Sequence, residues 1–161
     1  MLRQEAGRER PPVAALLDEF QAAERAGADA VRRWIAVCHE PRLRGGLRVI
    51  EARDRGHAAL AMARLRALGA PATAVVGHEL AALCSLLGAS GISDRSKLAA
   101  LLARFPDGAH DPLAGIADQL AGDDETRALL ETIADDERAS LAWLRGIHQV
   151  LETEVTCRTR D

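Results

Sequence analysis

Asp54 and His57 stand three residues apart in the middle of an otherwise apolar helical stripe. The stripe runs Leu43, Leu47, Ile50, Asp54, His57, Ala61, Leu65 and Leu68, in steps that alternate between four and three, so every position shares one helix face. A carboxylate and an imidazole at that spacing are close enough to grip one ion. Two other stripes also carry an acid at mid-length. Glu24 interrupts Val13, Leu17, Phe20, Gly27, Val31, Trp34 and Cys38, and Glu137 interrupts Thr126, Leu130, Ile133, Ser140, Leu144, Ile147 and Leu151. Ligation rich in oxygen, with one imidazole, suits iron or manganese. Glu24, Asp54, His57 and Glu137 are therefore the candidate ligands of one divalent metal. Glu51 and Ser140, one turn away, are candidates for a surrounding set of hydrogen bonds.

Three carboxylates meeting in an apolar core repel one another and lose hydration, at a cost of several kcal/mol per ion if nothing compensates. Within their own helices Glu24 and Glu137 have no lysine or arginine three or four residues away, and the only basic neighbour of Asp54 at that spacing is His57. A cation satisfies all of them. The alternative compensation comes from protein alone: a protonated His57, Arg104 reaching in from the middle region, or an acid that keeps its proton. Neutralising Glu24 as Glu24→Gln is expected to stabilise the metal-free chain, since it removes a repelling charge.

The elements that must position these residues follow from punctuation. Pro11 suits a first helical turn, and Pro41 ends one helix and opens the next. So short a link makes the two helices antiparallel neighbours. Glu24 lies sixteen residues before Glu40 and Asp54 fourteen after it. At 1.5 Å per residue these are about 24 and about 21 Å from the turn, one level within a helical turn. Gly45-Gly46 weakens the second helix near its start, and a ragged or kinked first turn is expected there; Gly69 caps its end. Thr73 is placed to cap a third segment with the stripe Val76, Leu80, Leu83, Leu87, which Gly88–Gly91 stops. Ser93 and Asp94 start a short helix with Leu98, Leu101, Leu102 and Phe105, and Asp111-Pro112 opens another with Leu113, Ile116 and Leu120. Asp123 or Asp124 caps the last long helix.

Composition narrows the classes. The chain has 161 residues, which fits one domain, and alanine, leucine and arginine favour helix over sheet. Residues 1–10 read as a polar tail without a secretory signal, 11–152 as the helical body, and 153–161 as a frayed polar tail. A net charge of −3 with interspersed signs gives no basic face, so nucleic acid is not an expected partner. No apolar run approaches the ~20 residues of a membrane span. Three cysteines without paired spacing point to a reducing, cytoplasmic setting, with Cys38 and Cys84 as core residues. Tyrosine is absent, so no tyrosyl radical has a candidate site, and Trp34 and Trp143 occupy packing positions. His39, His78, His110 and His148 read as surface residues.

With these stripes in hand, the chain resembles the ferritin-like superfamily, whose four-helix bundles hold two metals through single glutamates and Glu-x-x-His motifs. Glu24 matches the first single glutamate. Asp54-Arg55-Gly56-His57 looks like the first Glu-x-x-His with Asp substituted, and Glu137-Arg138-Ala139-Ser140 like the second with Ser in place of His. The resemblance spans Pro11–Leu151 and implies an all-α, up-and-down, ferritin-like four-helix bundle with its third helix broken into short segments. It also implies a degenerate site, short of one histidine and of the third-helix glutamate, that holds one ion rather than two.

The leading expectation is thus a small cytoplasmic bundle protein that binds one divalent iron or manganese ion, with no assigned turnover. An iron-dependent oxidase or hydroxylase is the enzymatic alternative. A scaffold or partner-binding module, whose acids only set helix register, is the third reading. A homodimer, in which a neighbour covers what the broken third helix leaves bare, is the assembly the pattern accommodates.

Overall fold

The computed structural model describes residues 12–106, 120 and 122–158, and among them the chain is all α-helical, with no strand. Five helices follow in order: α1 Pro12–Val37, α2 Pro41–Ala67, α3 His78–Gly88, α4 Asp94–Arg104 and α5 Asp124–Arg158. The expected helix at Asp111–Leu120 lies outside the described residues except for Leu120, which is buried, and Pro11, residues 1–10 and residues 159–161 also lie outside them. The helix of the last stripe does not fray at residue 153 but runs on to Arg158. No helix among the described residues is long and apolar enough to cross a membrane.

Packing closes a ring. α1 lies along α2, α2 along α5, α5 against α4, α4 against α3, and α3 against α1. The α1–α2 pair is antiparallel, with Glu24 opposite His57 and Gly27 opposite Asp54. α2 is antiparallel to α5 as well, because Arg42 reaches Glu154, Arg53 reaches Ser140 and Arg64 reaches Glu125. Two apolar clusters fill the interior. One holds Val31, Trp34, Leu43, Leu47, Leu87, Leu98 and Leu144; the other holds Leu17, Ala61, Leu65, Leu120 and Leu130. On α1, α2 and α5 alike, the acidic stripe positions fall between the residues of these two clusters.

Polar clamps fix the ends of α2. At its start Glu40 accepts from Arg42 N at 3.0 Å, and Asp94 of α4 spans the α1–α2 turn. The Asp94 carboxylate receives Trp34 Nε1 at 2.7 Å, His39 N at 2.7 Å, Glu40 N at 2.9 Å and the Cys38 thiol at 3.6 Å. Burial works against its charge, yet these donors hold its carboxyl below the usual range. At the other end Arg64 joins Asp123, Thr126 and Glu125, while Asp123 caps α5 through Thr126 N at 3.0 Å. Gly69 terminates α2 with φ +68, a conformation that favours glycine, and Ala70 N closes on Leu65 O at 3.1 Å.

Two local expectations are corrected. Thr73 does not cap α3, which starts at His78 with Gly77 before it. Instead Thr73 N and Oγ1 and Ala74 N all donate to Asp18, a carboxylate with no exposed surface, and that bonding keeps residues 71–77 out of helix. Gly45-Gly46 does not fray α2. The helix runs through it because Trp143 of α5 lies on Gly46, where a Cβ would come to 2.1 Å of the indole ring.

The two adjacent glycines make a controlled comparison. Gly46→Ala should destabilise the chain by about 1–3 kcal/mol through overpacking. Gly45→Ala, whose Cβ meets nothing within 4 Å, should stabilise it by about 0.5–1 kcal/mol. Urea unfolding of the two variants checks both signs.

Candidate metal centre

Each long helix delivers its acid to the same layer because stripe and link length fix both face and height. Glu24 comes from α1, Asp54 and His57 from α2, and Glu137 from α5. One ligand atom from each of the four lies within 4.8 Å of all the others. Asp54 and His57 are buried, at 9% and 4% exposure, whereas the Glu24 and Glu137 side chains are partly covered, so the layer opens toward solvent on the α5 side.

His57 is the hub. Its Nδ1 stands 3.3 Å from Glu24 Oε2 and 3.4 Å from Glu137 Oε1, while Nε2 stands 3.2 Å from Asp136 Oδ2. The 3.4 Å approach to Glu137 lacks hydrogen-bond geometry, and Glu137 Oε1 is buried with no hydrogen-bond partner. Asp54 is bonded only to its own backbone and forms no ion pair or hydrogen bond with another described residue. Its carboxylate lies over Gly27, where an added Cβ would sit 3.4 Å from Asp54 Oδ2. Gly27, having no side chain, thus lets the carboxylate approach the backbone of α1.

The electrostatics follow from this crowding. Burial, then the charges of Glu24 and Glu137, push Asp54 up to about 8. Burial also raises Glu24 above the ordinary carboxylate range, against the opposing hydrogen bond from His57. For His57 burial alone would lower the value, but the carboxylates of Glu137, Glu24 and Asp136 outweigh it and raise it to about 10. No lysine or arginine among the described residues lies within ion-pair distance of Glu24, Asp54 or Glu137. Arg104 does not reach in: it is exposed and faces Glu79 at 4.0 Å.

The two residues expected around the ligands behave differently. Ser140 is buried and accepts from Arg53 NH1 at 3.3 Å; Arg53 Nε in turn lies 3.7 Å from Asp136 Oδ1. Glu51 instead pairs with Arg55 and makes no bond to the cluster among the described residues. Asp136 was missed. It falls on the face Ile133, Asp136, Ser140, Trp143, whose spacing is as regular as that of the Glu137 stripe and which turns toward α2. Of the other histidines, His39 and His78 are exposed, His148 is partly buried beside Glu152 at 3.5 Å, and His110 lies outside the described residues.

Chemically, the donor set is three carboxylates and one imidazole nitrogen. Asp136, itself beside Arg53, is placed to accept a hydrogen bond from Nε2–H, so that once Nδ1 gives up its proton its lone pair faces Glu24 and Glu137. Among the described residues no carboxylate of α3 or α4 joins the group. No family model, curated protein or solved structure matches this chain. The reading therefore rests on the geometry.

Asp54 and His57 both bind a proton more tightly folded than unfolded, where their ordinary values are 3.8 and 6.5. The associated stability is complete below those values and is lost as pH rises through about 8 and about 10. The metal-free protein should thus melt at progressively lower temperature between pH 5 and pH 10, roughly the interval these values span. Asp54→Asn, which removes the acid pushed highest, should stabilise the metal-free chain more than Glu24→Gln, whose carboxylate also meets His57. It should raise the melting temperature most above pH 8, roughly where the folded-state carboxylate ionises, and progressively less as pH falls toward about 4. Calorimetry in the presence of chelator reads both.

Proposed function

We propose that this chain is a ferritin-like helical-bundle protein whose central layer binds one metal ion, iron or manganese, through Glu24, Asp54, His57 and Glu137. The observation that carries the reading is the convergence of those four ligand atoms within 4.8 Å around a nine-tenths-buried Asp54 that forms no hydrogen bond or ion pair with another described residue. The ring of helices, with α3 and α4 short and consecutive, is compatible with an up-and-down bundle whose third member is broken. On this reading residues 11–152 form the bundle as a single unit.

The residues fit an ion on three counts. The donors are of the hard oxygen and imidazole types, the acids have no lysine or arginine to neutralise them, and Glu137 Oε1 is buried and unsatisfied. An iron ion held here supplies one-electron chemistry and an affinity for oxygen donors. The protein's own part is to hold the carboxylates together, to present Nδ1 of His57, and to orient the ring through the hydrogen bond that Nε2–H donates to Asp136. Since the cluster holds protons in the ion's absence, loading releases them.

The competing reading is that a protonated His57 bridges the acids and that they only set helix register, which its elevated basicity favours. Metal analysis of protein purified without chelator separates the two. The expected result is close to one equivalent of iron or manganese, lost in both Asp54→Ala and His57→Ala, with a higher melting temperature when loaded. Protein that carries no metal and whose melting temperature ignores added iron and manganese supports the register role. Oxygen uptake by the iron-loaded chain then distinguishes an oxidase or hydroxylase from a passive binder.

A further inference from the structure

Building on the metal reading just given, we infer that the layer selects ions by charge and holds trivalent cations more tightly than divalent ones. Glu24, Asp54 and Glu137 bring three negative charges to one point. Arg53 and Asp136 lie beside them as an oppositely charged pair and change that sum by nothing. No other described cation comes within ion-pair distance, so a divalent ion leaves the layer with one uncompensated negative charge and a trivalent ion leaves none. Uncompensated charge is costly where Asp54 is nine-tenths buried and forms no ion pair with another described residue.

The stronger hydration of trivalent ions opposes this preference, and the donor set decides the balance. Three carboxylates and one nitrogen are the ligands of nitrilotriacetate, a small chelator that prefers trivalent over divalent ions despite their hydration. In a partly desolvated layer each added unit of ion charge is attracted by all three carboxylates at once. For iron the consequence is that the ferric ion is retained over the ferrous. A hundredfold preference corresponds to a reduction potential lowered by about 120 mV.

Terbium(III) and calcium(II), ions of nearly equal radius, isolate charge as the variable. The chain, stripped with chelator and dialysed against each ion, should bind one equivalent of terbium at least about a hundredfold more tightly than calcium. Asp54→Asn should lose that equivalent. Glu137→Gln, with its helicity checked by circular dichroism, should narrow the ratio by about tenfold or more. Equal affinity for the two ions, or a ratio unmoved in Glu137→Gln, overturns the selectivity while leaving ion binding in place. Terbium bound alike by wild type and Asp54→Asn overturns the assignment to this layer. A wild-type chain that binds none of iron, manganese, calcium or terbium overturns the metal reading itself.

Discussion

Everything in this structure is arranged around the expense of holding three carboxylates and an imidazole between two apolar half-cores. Unpaired, such charges cost several kcal/mol each, which is comparable to the whole stability of a small domain. The chain concentrates the expense in one layer rather than spreading it. Leucine, alanine and tryptophan fill the space on either side, and α1, α2 and α5 each place an acidic residue at the boundary. The layer is therefore tolerated only as a unit. Remove its protons without supplying another positive charge, and the cost returns in full.

What keeps the layer in register is the set of clamps at its two ends, far from the acids. Asp94 ties α4 to the α1–α2 turn through Trp34, His39 and Glu40, and Arg42 ties the start of α2 to Glu154. Arg64 ties the other end of α2 to Asp123 and Thr126. With both ends of α2 fixed against α5, the heights of His57 and Glu137 follow from helical rise alone. Trp143 on Gly46 sets how closely the two helices approach, since only a residue without a side chain admits the indole there. A one-residue slip would turn the acids off the common face, so these clamps act on the site through geometry and not through contact.

The sequence made the central convergence legible because only two quantities were needed. Periodicity assigned Glu24, Asp54, His57 and Glu137 to inward faces, and the short link at Pro41 set their heights. What stayed hidden depended on which neighbour covers which flank. Asp136 sits beside the Glu137 stripe, and only the direction of approach of α2 shows that it meets His57. Lys97, which the stripe of α4 does not include, is fully buried with no hydrogen-bond partner for its amine, because α4 is covered by both α3 and α5. The start of α3 was misplaced for the same kind of reason. Local capping favoured Thr73, but a buried Asp18 in α1 claimed its hydrogen bonds, and no pattern within residues 70–80 contains that fact.

The division of labour between clamps, half-cores and layer bears on what an ion does here. In small domains where the ligands are the core, the metal supplies the folding free energy. Here the apolar halves and the end clamps make their contacts without reference to the layer, and protons on Asp54 and His57 already ease its charge. An ion bound as proposed would therefore compete with protons in a preformed site instead of creating the fold. Its contribution grows with its free concentration, in the manner of any ligand that binds only the folded state. Because the competing species is the proton, occupancy rises with pH over the same range in which the ion-free protein weakens. The layer that costs the chain most stability when empty is, for that reason, the one that gains most when filled.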